Sequence, residues 1–269
     1  MDRQKIFSKI ARDIKEVKIQ GARNIAKAAL KAYFLIQTKS SKKKLLSLRP
    51  TEPMLEKVLN LADKIPEKEI INHFDYSQNQ INRFVFKLIK NNDVIFTHCH
   101  STNVVNALIY ARRKGKKFQI YNTETRPLFQ GRLTAKELSR AGIKVTMFVD
   151  SALQDALSGE GNLKKTSRVF LGADALLKNG IVNKIGSELV AIISKQCKIP
   201  VYVIADSWKF TKRKIPLEQR GLNEIWNRAP KNIRIRNPAF EFVDKKYIKG
   251  IITEYGAIKY DEFVRKMKG

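Results

Sequence analysis

The feature that most restricts how this chain can fold is a change in hydrophobic pattern near residue 93. Beyond that point, short apolar runs alternate with amphipathic segments of helical spacing. This alternation is typical of parallel strands joined by right-handed crossover helices. The predicted strands lie at 94–97, 118–121, 145–149, 168–171, 201–204 and 251–252, and the predicted helices between them at 102–114, 134–141, 151–158 and 185–196. We therefore expect an α/β fold with a Rossmann-like, doubly wound parallel sheet.

The first third of the chain has a different pattern and is predicted to be helical. Apolar residues recur at helical spacing from Ile6 to Val17, strong helix formers fill 21–36, and the pattern resumes after a break at 49–53. A further helix is expected at about 77–90, whereas the cluster Lys42-Lys43-Lys44 is expected in a loop. The predicted division is a helical N-terminal domain at 1–90 and a Rossmann-like domain at 91–269 that carries most of the active site.

Polar or small residues follow each of the first five predicted strands. In an open α/β sheet, ligands bind at the carboxyl ends of the parallel strands. The segments that would meet there are 97–101, 122–126, 150–151, 172–174 and 205–207. They contain a thiol, carboxylates and an arginine, which is the composition of a reaction pocket.

Cys99 is the first candidate for chemistry because it lies between a strand end and a helix start, where a helix dipole can lower the pKa of a thiol. Cys197 lies in an amphipathic helix and fits the usual role of a small buried side chain. His98 and His100 flank Cys99. Alternate residues of an extended segment point in opposite directions, so we expect these histidines to orient the loop or tune the thiol rather than bind a metal.

Asp174, Asn183 and Lys184 follow the fourth strand. Asp174 is either a turn or cap residue or an acid in the pocket, and the helix start after Lys184 predicts a phosphate or oxyanion site. Arg49, on a loop fixed by the two prolines that follow it, fits either a phosphate grip or a solvated surface position. Arg126 is either a ligand-binding residue or the partner of Glu124 in an ion pair.

The net charge of +28 is spread almost evenly along the chain, without a basic tail. It predicts weak, salt-sensitive and non-specific binding of nucleic acid. No apolar run reaches the ~18–20 residues of a membrane span, and two distant cysteines favour a reducing compartment. The expected location is the cytoplasm, with no membrane partner.

Several ordered motifs resemble one known superfamily. They are THCHS, YNTETRPLFQGRLTAKELSRAGI, VDSA, FLGADALLKNGIVNKIGS, ADSWKF and RNPAFEFVDKKYIKGIITEYG. Together, from about residue 18 to the C-terminus, they resemble the superfamily that contains ribose-1,5-bisphosphate isomerases, methylthioribose-1-phosphate isomerases and regulatory subunits of initiation factor 2B. Cys99 and Asp174 match the isomerase branches, and TETRP, NKIGS and WKF are most similar to the archaeal bisphosphate isomerases.

The resemblance implies roles for individual residues. Cys99 would be the general base and Asp174 the general acid. Substrate-binding roles are implied for Gly21, Ala22, Arg23, Arg49, Ser101, Arg126, Asn183, Lys184 and Lys209. Gln20 stands where the family usually has arginine, and Arg23 lies close to it in sequence.

The implied activity is conversion of ribose 1,5-bisphosphate to ribulose 1,5-bisphosphate, a step in nucleoside monophosphate degradation, without cofactor or metal. The implied partners are a phosphorylated sugar, further copies of the chain in a dimer or hexamer, and a nucleotide activator. Two alternatives stay open at this point: a non-catalytic initiation factor 2B-like subunit that binds a nucleotide or sugar phosphate, and a methylthioribose-1-phosphate isomerase.

Overall fold

A computed structural model describes residues 2–268, and the first five elements are all helices. Buried apolar side chains from this helical part, including Ile14, Ile25, Leu30 and Leu45, form one hydrophobic core. The helices are α1 (Arg3–Lys15), α2 (Ala22–Leu35), α3 (Lys39–Leu48), α4 (Pro53–Leu61) and α5 (Glu67–Leu88).

The prediction of a loop at Lys42-Lys43-Lys44 is wrong, because these residues lie inside α3. Thr38 and Ser41 form a reciprocal capping box at its start: the hydroxyl of Thr38 accepts from the Ser41 N–H at 3.1 Å, and the hydroxyl of Ser41 accepts from the Thr38 N–H at 3.2 Å. Lysine also has a high helix propensity. A charged run therefore continues the helix that the capping box begins.

Helix α5 begins ten residues earlier than the predicted start at 77, at Glu67. Pro66 precedes it, and Glu67 and Glu69 in its first turn favour a helix start through the helix dipole. Its N-terminal half packs in the helical core through Phe74, whereas its C-terminal half packs against the sheet through Ile81. The division into domains at 90 stays a prediction, and its outer ends, Met1 and Gly269, lie outside the described residues.

A seven-stranded sheet follows the helical part. Its strands are β1 (Val94–Thr97), β2 (Gln119–Thr123), β3 (Lys144–Phe148), β4 (Arg168–Leu171), β7 (Val201–Ile204), β9 (Gly250–Thr253) and β10 (Gly256–Ile258). Their order across the sheet is β10-β9-β7-β4-β1-β2-β3. All neighbours are parallel except β10, which is antiparallel to β9. The six parallel strands thus have the chain order 3-2-1-4-5-6, the order of the Rossmann fold.

Helices cover both faces of this sheet. They are α6 (Thr102–Arg113), α7 (Gln130–Arg140), α8 (Leu153–Ser158) and α9 (Ser187–Gln196), and α10 (Tyr260–Lys266) follows the last strand. Side chains of α5 and α6 pack on one face and side chains of α8 and α9 on the other. The predicted doubly wound α/β fold is confirmed, with each of the six parallel strands and the four helices between them placed within four residues.

A second, three-stranded antiparallel sheet was not predicted from the sequence. Its strands are β5 (Ala175–Leu177), β6 (Gly180–Lys184) and β8 (Phe240–Asp244), in the order β5-β6-β8. Lys178 and Asn179 form the turn between β5 and β6. The hairpin places Lys184 at the carboxyl end of β6, and the N–H of Asp174 donates to the carbonyl of Val182 at 2.9 Å. The hairpin therefore fixes the end of β4 to the residues of β6.

Among residues 2–268, no helix combines the length and apolarity that crossing a bilayer requires.

Candidate active site

A cavity of about 410 Å³ opens where the strand order reverses, beyond the carboxyl ends of β1 and β4. The connections that follow β1 and β4 lead to opposite sides of the sheet, toward β2 and β7 respectively. Such a point is the preferred ligand site of open α/β sheets. Ten of the eleven predicted site residues line this cavity: Gly21, Ala22, Arg23, Arg49, Cys99, Ser101, Asp174, Asn183, Lys184 and Lys209.

Arg126 is the predicted site residue that the lining does not include. Its guanidinium lies over the ring of Phe129, 4.7 Å from the centroid. The alternative ion pair with Glu124 is made instead by Arg132, at 2.9 Å. The backbone N–H of Arg126 donates to Asp150 at 2.6 Å, so Arg126 takes part in the loop that supports the cavity.

Cys99 has a left-handed backbone, with φ of 67°. This conformation is costly for a residue with a Cβ and persists where neighbours hold it. The N–H of Cys99 donates to the hydroxyl of Thr125 at 3.0 Å, and its carbonyl accepts from the hydroxyl of Thr134 at 2.9 Å. Asp150 fixes Thr125 in turn by accepting its N–H at 2.8 Å. The loops after β2 and β3 thus hold the Cys99 turn at the cavity.

The two histidines beside Cys99 hold the loop. Burial lowers the pKa of His98, so the ring is neutral. Its Nε2–H donates to the carbonyl of Ile185 at 2.8 Å and its Nδ1 accepts from the hydroxyl of Thr123 at 2.6 Å. Nδ1 of His100 donates to Thr134 at 3.0 Å. Both ring nitrogens of His98 are occupied by protein partners, which supports an orienting role.

Gly186 shows how closely the end of β6 approaches this loop. A Cβ at this position would lie 2.9 Å from Nε2 of His98, and the backbone has φ of +99°. Only glycine satisfies both conditions without displacing the His98 ring. The loop after β1 therefore packs against the start of α9 through the ring of His98.

We expect His98→Ala to lower the free energy of unfolding by about 2–4 kcal/mol, because it removes a buried ring and leaves two hydrogen-bonding groups without a partner. Thr123→Val, which removes one of these hydrogen bonds and preserves the shape, should cost about 1 kcal/mol. Urea unfolding of the two variants measures both values. A smaller loss for His98→Ala than for Thr123→Val would contradict the orienting role.

Asp174 and Lys209 follow β4 and β7, and they lie close enough for their charges to interact. The ammonium of Lys209 donates to the carbonyl of Ala173, the residue before Asp174, at 2.6 Å. Lys209 lies on a short 3₁₀ turn that Asp206 caps by accepting the N–H of Trp208 at 2.9 Å. Trp208 stacks on His73 of α5, with ring centroids 3.5 Å apart. Helix α5 thus helps position the lysine.

Burial raises the pKa of Asp174, although Lys209, Arg49 and Lys184 act in the opposite direction. The carboxyl is therefore easier to protonate than an aspartate in water. The direction is the one that a general acid at neutral pH requires.

The pKa of Cys99 differs from the expectation. Enclosure in the cavity raises it to about 12, and the nearby cation of Lys184 only partly offsets this effect. The expected lowering by a helix start is outweighed by desolvation. Burial also lowers the pKa of Lys184, whereas the charge of the Cys99 thiolate raises it. In the free site Cys99 is a thiol, and Lys184 is the group whose charge favours the thiolate.

Two helix starts also face the cavity. Gly21 precedes α2 with φ of +82°, and Ser101 precedes α6. The first N–H groups of a helix have no partner within the helix, so each start offers donors to an anion. Arg23, in the first turn of α2, forms an ion pair with Asp75 at 2.7 Å.

A group of charged residues beside Arg49 was not predicted from the sequence. Glu52 and Arg220 line the cavity, and Glu218 lies 3.4 Å from the Arg49 guanidinium. Arg220 pairs with Glu224 at 2.5 Å. The position of Glu52 in the proline-bounded loop of Arg49 was the available signal for this residue. For the others no local pattern pointed to the site, because the long segment after residue 210 has no regular periodicity.

The group of His, Cys, Asp and Glu side chains close enough to hold a metal, within residues 2–268, is His73, Asp206 and Glu254. Glu254 accepts from the N–H and the hydroxyl of Ser207, and Asp206 lies 3.1 Å from Nε2 of His73. These carboxylates already have protein partners. The group ties α5 to the ends of β7 and β9, outside the cavity.

Comparison with known proteins identifies the family of this chain. Residues 37–260 match the initiation factor 2 subunit family (IF-2B). The chain belongs to this family.

Relatives within the family include sugar-phosphate isomerases. The chain is 34% identical to a ribose 1,5-bisphosphate isomerase of Methanocaldococcus jannaschii, over 96% of this chain and 93% of that one. It is 32% identical to the enzyme of the same name from Archaeoglobus fulgidus, over 92% and 88% of the two chains.

A solved structure of the translation initiation factor eIF-2B from Pyrococcus horikoshii is similar as well, with a TM-score of 0.81, 27% identity and coverage of 94% and 96% of the two chains. The fold is therefore shared by proteins named as enzymes and as translation factors. The residues in the cavity must distinguish between these two roles.

Proposed function

We propose that this chain is an aldose–ketose isomerase that converts ribose 1,5-bisphosphate to ribulose 1,5-bisphosphate. The observation that carries the proposal is one cavity that combines a thiol, a carboxyl of raised pKa and several cations. Relatives that are 32–34% identical over nearly the whole chain are named for this reaction. The role of each residue below is part of the proposal.

The first step opens the sugar ring. Asp174 gives its proton to the ring oxygen as the bond from that oxygen to the first carbon breaks. The phosphate stays on the first carbon, whose positive charge is shared with the ester oxygen. A neutral carboxylic acid is required, and burial of Asp174 favours that form by raising its pKa.

The second step moves a proton between carbons. The thiolate of Cys99 takes the proton from the second carbon, which gives an enol, and then returns a proton to the first carbon. The hydroxyl on the second carbon loses its proton to the carboxylate of Asp174 and becomes the ketone. Both residues end in their starting protonation states, and no electrons are exchanged with another molecule.

The thiolate must form within the occupied site, because enclosure holds the pKa of free Cys99 at about 12. The thiol proton leaves to solvent as the substrate binds and returns when the product leaves. Lys184 provides the nearby positive charge that stabilises it. The phosphates would be held by Arg49, Lys184 and Lys209, by Gly21, Ala22 and Arg23 at the start of α2, and by Ser101 and Asn183. Arg126 is proposed to act only after movement of its loop, since it stacks on Phe129.

The test of this proposal compares two substrates. Purified protein is incubated with ribose 1,5-bisphosphate and, separately, with methylthioribose 1-phosphate. We expect turnover of the bisphosphate with a kcat/KM at least ~100-fold above that for the monophosphate, because a second bound phosphate adds charge-assisted hydrogen bonds that the latter lacks. A preference for methylthioribose 1-phosphate would move the assignment to that isomerase.

A second candidate function is that of a non-catalytic regulatory subunit that binds a nucleotide or sugar phosphate. The similarity to the Pyrococcus horikoshii translation factor favours it. The two candidates differ in one observable: a regulatory subunit would form a stable complex with initiation factor 2 and would not turn over either sugar. Adding adenosine monophosphate to the assay tests the proposed nucleotide activation at the same time.

We also propose that the chain forms a homo-oligomer in the cytoplasm, either a dimer or a hexamer. Several large apolar side chains of the segment after residue 210 are exposed: Leu217, Leu222, Ile225, Trp226 and Ile233. Exposed apolar side chains that lie this close in sequence are typical of association surfaces. Light scattering on the purified protein separates monomer, dimer and hexamer.

A further inference from the structure

Glu52 is a buried acid that the proposed reaction does not use. It directly precedes α4, its side chain is 2% exposed, and it lines the cavity. Oε2 has no hydrogen-bond partner among the described residues, and Oε1 lies 3.8 Å from Nη2 of Arg49, which is beyond hydrogen-bonding distance. A buried carboxyl with a free oxygen is costly unless a ligand or a proton satisfies it.

Arg49 is similarly incomplete. Its side chain is 7% exposed and its Nε has no partner among residues 2–268, although Glu218 lies 3.4 Å from Nη2. A guanidinium has five N–H donors in a fork that fits phosphate oxygens. The Arg49 side chain therefore has an unused donor and the Glu52 side chain an unused acceptor, yet the two groups do not form a close ion pair.

The charges that face Glu52 come from four places. Arg49 lies on the same loop, Asp174 at the end of β4, Lys209 on the turn after β7 and Glu218 on the long segment after residue 210. Burial raises the pKa of Glu52 to about 8, with a further contribution from Asp174 when that carboxyl is ionised, and the two cations only partly oppose this. Glu52 is therefore a neutral acid at pH 7.

We propose that Glu52 controls phosphate binding at Arg49: as a neutral acid it leaves the guanidinium free for the ligand, and as a carboxylate it holds Arg49 and repels the ligand's phosphate. The inference deepens the proposed function, because it rests on Arg49 holding a phosphate of the substrate. Glu52 acts through Arg49 and is a positioning residue.

The pH dependence follows from linkage. A bound phosphate dianion disfavours the carboxylate, so it raises the pKa of Glu52 further above about 8. Below pH ~8 the acid is already neutral and binding is unaffected. Above pH ~8 each binding event takes up one proton, so the affinity falls by up to about tenfold per pH unit. The substrate phosphates do not mask this effect, since they ionise near pH ~6.

The experiment measures KM and kcat for ribose 1,5-bisphosphate at pH 7 and pH 9. We expect KM of the unaltered protein to rise about tenfold between these values. In Glu52→Gln, which is neutral at every pH, the rise should be at most about a third as large. Glu218→Gln is the matched control, because it also removes a carboxyl beside Arg49 and should keep the full rise. Titration of Lys184 affects all three proteins alike. A difference in the rise of KM between Glu52→Gln and the other two proteins therefore reports on Glu52.

An equal rise of KM in Glu52→Gln and the unaltered protein would overturn the inference, as would an effect confined to kcat. If no protein turns the sugar over, the proposed function fails separately, and the same comparison is made on the Kd of ribose 5-phosphate by calorimetry. A roughly tenfold weakening of binding that Glu52→Gln abolishes would then support the control of Arg49, and equal weakening in both proteins would refute it.

Discussion

Replacing Cys99 by serine is expected to lower kcat by about 1000-fold or more while the protein stays folded. A serine hydroxyl is a far weaker acid than even a buried thiol, so it stays protonated in the site. A protonated hydroxyl cannot take the proton from the second carbon of the sugar. Proton transfer by a positioned side chain contributes about 10²–10⁴ to a rate. The measurement is the rate of ribulose 1,5-bisphosphate formation at saturating substrate.

Cys197→Ser is the matched control for this substitution. Cys197 follows α9 and packs against the core cluster on the α8 and α9 face of the sheet, outside the cavity lining. It should keep the kcat of the unaltered protein. A kcat of Cys99→Ser within about tenfold of this control, with equal thermal stability, would exclude Cys99 as the base.

The second large effect is expected for Asp174→Asn, a loss of about 100- to 10,000-fold in kcat with little change in KM. Asparagine keeps the size of the side chain and a hydrogen-bond donor, but it cannot give a proton to the ring oxygen. Because the pKa of Asp174 is raised, its acid form is lost only as the pH rises through that value. The steady-state rates of the two proteins at pH 7 measure the effect.

Asp155→Asn is the matched control, because it makes the same aspartate-to-asparagine change at an exposed position on α8. Its kcat should equal that of the unaltered protein. If Asp174→Asn raised KM with kcat intact, Asp174 would be a binding group and the ring oxygen would need another acid.

Much of the architecture follows from hydrophobic periodicity. The four-residue runs Val94–Thr97, Arg168–Leu171 and Val201–Ile204 form strands with the predicted bounds, because a short apolar stretch between two amphipathic helices is typical of a buried parallel strand. The strand ends also identified Cys99 and Asp174, since parallel strands bring their carboxyl ends to one edge.

Other parts of the fold depend on contacts that a local pattern does not encode. Strand β5 has three residues and β8 has an irregular burial pattern, so neither forms a recognisable run. The raised pKa of Cys99 comes from enclosure by distant segments, whereas the sequence offered only the nearby helix start. Glu52 looked like part of a loop break, and only the packing of that loop against Asp174 and Lys209 makes it a buried acid.

The most direct test of the isomerase assignment is an assay of ribulose 1,5-bisphosphate formation from ribose 1,5-bisphosphate, with Cys99→Ser and Cys197→Ser in parallel. We expect turnover by the unaltered protein and by Cys197→Ser, and its loss in Cys99→Ser. No turnover by the folded, unaltered protein, with and without adenosine monophosphate, would contradict the assignment and favour the regulatory subunit.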